Sequence, residues 1–373
     1  MKIGLIIYGR LQTLSGGYLY DRKLVEHLEA AGDEVEIVSL PWERYGRSLF
    51  HNFWFALAEQ LRLADFDLLL QDELNHPSLF WLNWRLRGQI SYPIVSIVHH
   101  LRSSELRPNW QNWFYRQIEQ RYLASVDGFI FNSQTTQQVV QSLVGEKQPY
   151  VVATPAGDRF RPTLAPEQIE ARAYQPGPLR LLFVGNLIPR KGLHTLLEAV
   201  TGLPKSDWLL EVVGDTAVSP HYTHQIQQQI IRHGLDGHVT LHGPLNDVAL
   251  QTKMEQSHVL AVPSSYEGFG IVYLEGMGFG LPAIAGCGGA AHEIITDGLD
   301  GFLVPGDDVA ALRNHLHTLG QNRHKLATMS LAAHKRFATQ PTWHQSMTKI
   351  HHFLHDWAGR KKEDGASGED TPS

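Results

Sequence analysis

The chain is written in short apolar blocks separated by longer stretches whose apolar positions recur every three or four residues. KIGLIIY (2–8), EVEIVSL (34–40), FDLLLQD (66–72), YPIVSIVHH (92–100), DGFIFNS (127–133) and YVVATP (150–155) hardly alternate, so most read as strands buried on both faces. Between the first two, YLYDRKLVEHLEAAG sets Leu24, Val25 and Leu28 at helical spacing and stops at Gly32. This is β-α-β rhythm. It pauses over 155–178, where Pro155, Pro162, Pro166, Pro176 and Pro178 oppose any regular element, and an interdomain linker is expected there. It restarts with LRLLFVG (179–185), WLLEVVGD (208–215), HVTLHG (238–243), HVLAVPSS (258–265), LPAIAG (281–286) and GFLVPGD (301–307). The pattern predicts an α/β protein of two Rossmann-like domains, 1–160 and 178–340, each a doubly wound parallel sheet with ligands at the carboxyl ends of its strands. An amphipathic helix at 341–359, with Met347, Ile350, Phe353, Leu354 and Trp357 near one side, is expected to pack back on the first domain. The polar residues 360–373 are expected to be disordered.

Composition adds limits. At 373 residues and 43% apolar content, the chain exceeds what one core usually organises. A net charge of −6 provides no global basic field, so nucleic acid is not an expected partner. The single cysteine, Cys287, forms no internal disulfide, fits a reducing cytoplasm, and reads as a packing residue among glycines. No apolar run reaches the ~18 residues of a membrane span, so any membrane contact is expected from the surface.

The chemistry concentrates in VPSSYEGFGIVYLEGMGFGLPAIAG (262–286), read as strand, loop and helix with the helix starting near Gly270 or Ile271. A helix start offers unpaired N–H groups with partial positive charge, and glycines let a phosphate approach them. Glu267 in the loop and Glu275 one turn into the helix accept hydrogen bonds from hydroxyls rather than phosphates. The implied ligand carries hydroxyls on both sides of its phosphates, as a nucleotide sugar does.

Here the chain resembles the retaining glycosyltransferases of family 4, with their two-domain GT-B fold, central cleft and E-x7-E motif. The resemblance implies Glu267 near the donor sugar hydroxyls, Glu275 on the ribose, and Gly268, Phe269, Gly270 and Ile271 over sugar and phosphates. In VGNLIPRKG, Gly185 opens the loop and Lys191 corresponds to the family's diphosphate-binding lysine. Asn186 stands where the family usually has arginine, so Arg190 or another basic residue is expected to supply the missing charge, or phosphate stabilisation is weaker. Gly16 and Gly17, before the first helix, correspond to the loop that the family sets against donor phosphates and acceptor; their spacing does not match a dinucleotide fingerprint. Of the pair ending YPIVSIVHH, His99 aligns best with the family's active-site histidine, with His100 as the alternative. FNSQTT (131–136) and TPAGDRF (154–160) correspond to further family segments, the latter with Ala156 where asparagine is usual; Gly289, Glu293 and Gly301 match positions read as structural.

The resulting expectation is a cytoplasmic hexosyltransferase that uses a nucleoside-diphosphate sugar, needs no cofactor or metal, and serves a glycan, lipid-linked or small-molecule acceptor. A GT-B epimerase or phosphorylase, and a nucleotide-sugar-binding protein without transfer activity, are the alternatives. His351 and His355 are spaced i, i+4, but no cysteine or acidic cluster joins them in a ligand pattern, and no metal site is expected. Six of nine tryptophans fall between Trp42 and Trp113, and residues 81–122 hold six arginines against two acids. Trp81, Trp84, Arg85, Arg87, Trp110, Trp113 and Arg116 therefore form either a surface for an acceptor or anionic lipid at the inner membrane, or ordinary core tryptophans with solvated arginines.

Overall fold

The computed structural model describes residues 1–160, 162 and 164–366. The chain divides into two compact units, Met1–Pro155 with Trp343 onward, and Ala156–Thr342. Each holds a six-stranded sheet in which every neighbouring pair is parallel.

The first sheet contains β1 (Lys2–Tyr8), β2 (Glu34–Leu40), β3 (Leu68–Asp72), β4 (Ile94–Val98), β5 (Gly128–Phe131) and β6 (Tyr150–Val152), in the order β2-β1-β3-β4-β5-β6. β3, β4 and β5 are buried throughout, as strands covered by helices on both faces must be. β2 departs from that expectation. Only Val38 and Leu40 in it are buried; Glu34 and Glu36 put charge on the sheet edge, where it discourages pairing with another chain.

The second sheet contains β7 (Leu179–Val184), β8 (Trp208–Val213), β9 (Val239–Leu241), β10 (Val259–Val262), β11 (Ala283–Gly286) and β12 (Gly301–Val304), in the order β12-β11-β10-β7-β8-β9. In both orders the chain leaves its first strand in one direction and later returns to that strand's other side. The reversal lies between β1 and β3 in the first sheet and between β7 and β10 in the second. In this architecture, loops leaving the strands on either side of such a reversal diverge to opposite faces, which makes the carboxyl edge there the usual ligand position.

Three boundaries differ from expectation. Residues Pro166–Ala173 form a helix within the proline-rich stretch, because Pro166 occupies a first-turn position where its fixed φ favours a helix and its missing N–H costs nothing. Buried Arg172 ties that helix to the second unit by donating to the carbonyls of Glu255, Phe279 and Gly280. Gly16 and Gly17 lie inside the first helix, Gly16–Ala30, rather than before it; Ser15 is the cap, its Oγ accepting from Tyr18 N–H. The last helix runs Trp343–Ala366, so 360–366 are helical, in keeping with the helix-forming residues RKKED, while 367–373 lie outside the described residues. Within the first unit this helix is held by Ser346 Oγ donating to Thr154 O at 2.7 Å, Lys349 Nζ donating to Val152 O at 2.7 Å, and Trp343 packed edge-on against Tyr20.

Candidate functional site

The loops after β7 and β10 flank the reversal of the second sheet, and a buried ion pair joins them. Lys191 Nζ donates to Glu267 Oε1 at 2.5 Å, Ser264 Oγ donates to the same oxygen at 2.6 Å, and Arg190 Nη1 stands 3.6 Å from Oε2. Burial opposes ionisation of Glu267, but Lys191, Arg190 and the hydrogen bonds from Lys191 and Ser264 prevail, holding its pKa down at about 2. Glu267 is therefore an anion that a ligand meets already formed.

Backbone packing fixes these charges in place. Gly192 has φ +72°, and a Cβ there would sit 2.2 Å from Pro263 O; Gly289 has φ +80°, and a Cβ there would sit 2.0 Å from Glu267 O. Both positions combine a left-handed conformation with a backbone approach that only glycine permits. Arg190 closes the same contact, donating from Nη1 to Tyr266 O at 2.5 Å while its carbonyl accepts from Ser265 N–H at 2.8 Å. The helix of the site, Ile271–Gly278, begins at Gly270, whose φ is +103°. Phe269 and Ile271 are buried, and Tyr273 anchors the turn by donating from its hydroxyl to Val262 O at 2.8 Å. Gly268 is partly buried. Gly185 lies beneath the Lys191 chain, whose carbons would stand 3.5 Å from a Cβ there, and Asn186 follows it with its carbonyl accepting from Ile188 N–H.

Glu275 sits differently. Its carboxyl is buried on the Ile271–Gly278 helix with Arg159 Nε 3.0 Å from Oε1, yet neither atom is aligned for a hydrogen bond. Burial, reinforced by Asp247 and only partly offset by Arg159, pushes Glu275 up to about 7. A buried acceptor without a hydrogen-bond donor suits a ligand hydroxyl. Arg159 reaches it because Gly157 packs on the helix backbone, where a Cβ would lie 2.8 Å from Leu274 C, and Phe160 packs edge-on against Phe279. Arg159 is not among the residues that sequence reading singles out; it lies in the TPAGDRF segment, where a cation directly after Asp158 and before Phe160 is the available signal.

In the first unit the structure brings Gly17 and His99 together: a Cβ on Gly17 would stand 3.2 Å from His99 Cδ2. His99 Nε2 lies 3.2 Å from Asp21 Oδ1, and Tyr20 meets the imidazole edge-on. Burial acts against its charge, but Asp21, Asp72 and Glu73 together raise His99 to about 9, leaving it an imidazolium at neutral pH. Asp72 is raised to about 7 by burial and by Asp21. The FNSQTT segment holds the backbone here, Asn132 Nδ2 donating to His99 O at 2.8 Å. His100 turns to Glu105, 3.0 Å away, and takes no part in this cluster. Asp21 and Asp72 were not anticipated, although an acid at position 21 shares the helical face of Leu24, Val25 and Leu28, and that was a legible anomaly.

Two further expectations resolve. Cys287 is exposed rather than packed, its backbone N–H bonding Val304 O while the side chain reaches solvent. Trp84, Trp110 and Trp113 are 66%, 70% and 64% exposed, so they are not core residues. Phe50, Phe53 and Phe55 are exposed as well; Phe53 packs edge-on against Trp81, and Tyr45 contacts Phe114 and Tyr115. Among the described residues no helix is long and apolar enough to cross a membrane.

Comparison with known proteins covers both units. The model of Glycosyl transferases group 1 matches residues 165–336, and that of Glycosyltransferase Family 4 matches 19–156. The chain is 26% identical over 280 residues to a D-inositol 3-phosphate glycosyltransferase of Xylanimonas cellulosilytica, covering 69% of this chain and 67% of that one. It is 28% identical over 207 residues to a GDP-mannose-dependent alpha-(1-6)-phosphatidylinositol monomannoside mannosyltransferase of Mycobacterium tuberculosis, covering 53% of each. The chain thus spans about half to two thirds of the length of these curated relatives. In fold it is similar to a sucrose-phosphate synthase from Thermosynechococcus elongatus, with TM-score 0.81 and 20% identity over 96% of this chain and 99% of that one.

Proposed function

The chain belongs to the family 4 glycosyltransferases of GT-B fold, and from that premise we propose that it moves a hexose from a nucleoside-diphosphate sugar to an acceptor hydroxyl with retained anomeric configuration. The observation that carries this reading is the buried Lys191–Glu267 pair at the strand-order reversal of the second sheet. Glu267 is ionised and rigid, suited to accept from sugar hydroxyls, while Lys191 and Arg190 bring positive charge beside it.

In the reaction the bond from the sugar anomeric carbon to the diphosphate oxygen breaks, and its electron pair leaves with the nucleotide. Lys191, Arg190 and the N–H groups at the Gly270 helix start stabilise that charge, which gives Arg190 the part usually taken by an arginine at the Asn186 position. The acceptor oxygen bonds to the anomeric carbon on the same face, and its proton passes to an oxygen of the departing phosphate. Glu275 receives the ribose hydroxyls, and His99, supported by Asp21, is assigned to the donor sugar by family resemblance. With protein cations in this role, adding Mg²⁺ or Mn²⁺ to metal-stripped enzyme leaves turnover unchanged.

The exposed aromatic side chains of residues 42–114 favour an acceptor presented at a lipid surface, since Trp and Tyr settle at membrane interfaces and nearby arginines attract anionic headgroups. The inositol-lipid acceptor named for the mycobacterial relative is chemically compatible with that surface. Co-sedimentation with anionic vesicles at low salt tests it; absence of binding removes the membrane part and leaves the transferase.

The test of the function is a thermal-shift panel of UDP-, GDP- and ADP-sugars followed by transfer assays with the stabilising donor. Product that forms only with acceptor, and without inorganic phosphate, supports the transferase. Phosphate dependence, or product without acceptor, supports a phosphorylase or epimerase, and binding without turnover with any acceptor supports a binding protein.

A further inference from the structure

A histidine pair and an acid meet far from both carboxyl-edge clusters in sequence. Asp33 follows the Gly16–Ala30 helix and its carboxylate is buried, only 3% exposed. His355 Nε2 lies 3.2 Å from each Asp33 oxygen, and His351 Nε2 lies 3.3 Å from Oδ2. The two imidazoles stand with centroids 4.2 Å apart, one turn from each other on the last helix. His351 Nε2 is buried and makes no hydrogen bond, so its approach to Asp33 is convergent without being an aligned donor–acceptor contact. The chain's amino-terminal nitrogen donates to Asp33 Oδ1 at 2.6 Å and steadies the carboxylate from behind.

We infer that Asp33, His351 and His355 form a binding site for a zinc-like divalent transition ion that fastens the last helix to the first unit. Ligand atoms about 2.0–2.1 Å from a tetrahedral ion are separated from one another by roughly 3.3 Å, the spacing found between Asp33 and each imidazole nitrogen, and all three ligand atoms lie within 4.8 Å of one another. Two histidines at i, i+4 on one helix are a recurrent zinc grip, and two imidazoles with one carboxylate select Zn²⁺, Co²⁺ or Ni²⁺ over Mg²⁺ or Ca²⁺. His355 is 41% exposed on its side chain, which gives an ion its entry and leaves room for water as a fourth ligand. The amino-terminal hydrogen bond to Asp33 is the kind of outer contact that orients a ligating carboxylate. His27 and His352 lie nearby, with ring centroids 5.9 and 6.1 Å from that of His351, and His344 lies 5.3 Å from His27, but none of these rings is among the three groups whose ligand atoms converge.

The test uses full-length, tag-free, metal-stripped protein titrated with zinc chloride by calorimetry, with thermal denaturation alongside. The expected result is one equivalent bound with a rise in Tm, and no rise with Mg²⁺. His351→Gln and His355→Gln are each expected to weaken zinc binding by more than about tenfold, a loss that outer contacts alone can cause. His352→Gln, whose ring does not converge on Asp33, keeps wild-type affinity. Wild-type protein that binds less than one equivalent overturns the site, as does unchanged affinity in both glutamine variants. The buried trio of Asp21, Asp72 and His99 is the competing location, so affinity lost in His99→Gln and kept in His355→Gln also overturns it.

Discussion

The two sheets end in opposite chemistry. At the carboxyl edge of the second, Glu267 is matched by Lys191 and Arg190, and glycine contacts at Gly192 and Gly289 lock the loops that carry them. At the edge of the first, His99 faces a surplus of buried acid, Asp21, Asp72 and Glu73, two of which are pushed up toward neutrality. One edge stores a formed anion beside cations, suited to sugar hydroxyls and diphosphate together. The other stabilises one imidazolium at the cost of keeping carboxyls in a poor environment. Similar strand topologies therefore give charge clusters of different balance at their carboxyl edges, decided by the few residues that follow each strand.

The largest expected effect comes from Glu267→Gln, which keeps the shape of the side chain and removes the anion. Transfer should fall on the order of 10³-fold, as removing one preorganised electrostatic group does, and turnover within tenfold of wild type would detach Glu267 from catalysis. Lys191→Met tests the pair from the other side. It leaves Glu267 buried without its closest cation, and chemical denaturation should show a loss of about 3–5 kcal/mol, the cost of breaking a buried pair. Removing Glu267 as alanine should cost stability for the same reason, so the glutamine variant is the cleaner probe of chemistry. Gly289→Ala forces a Cβ onto Glu267 O at a left-handed φ and should cost about 1–3 kcal/mol by the same measurement.

Smaller effects follow from pH, and they separate the two edges. His99 is raised above its usual value, so the stability it contributes is complete below about pH 6.5 and is lost as pH climbs through 9. Ionisation of Asp72 and Glu73 through about pH 7 works in the same direction. Glu267 is depressed, so its contribution is present above its usual pKa and lost only as pH falls through about 2. Glu275, also raised to about 7, works in the same direction at the second edge, but no raised imidazolium is lost there, so hydrogen exchange between pH 6 and 9 should loosen the β1–β4 edge of the first unit more than the β7 and β10 loops. Equal loosening of both would erase the contrast. Smallest of all, ribose hydroxyls favour ionised Glu275, so nucleotide affinity should rise by less than about tenfold as pH passes through 7, and Glu275→Gln should flatten that rise.

Much of this was legible along the chain. All six strands of each sheet coincide with apolar blocks, most of them because buried parallel strands leave few polar positions to blur the pattern, although β2, β6 and β9 are only partly buried; the Glu267–Glu275 segment stands out because glycines and acids are scarce in a buried helix start. Contacts over long sequence separation were not legible. Lys191 and Glu267 are brought together only by the order β10-β7, and Asp33 joins His351 and His355 only once the last helix returns to the first unit. Pro166 looks like a breaker in sequence, but proline's effect depends on position, and a first-turn proline begins a helix rather than stopping one. Asp21 is hidden in sequence because the apolar residues on its face describe the helix well enough without it.

The central claim, that the β7 and β10 loops hold a sugar diphosphate between protein cations and Glu267, is tested most directly by calorimetric binding of the stabilising nucleotide sugar to wild type and to folded Lys191→Met protein. The account predicts one site in wild type and affinity reduced more than about tenfold in the variant, a loss expected when a charged partner of a buried phosphate is removed. Equal affinity in the two proteins, with the variant's fold intact, would contradict it.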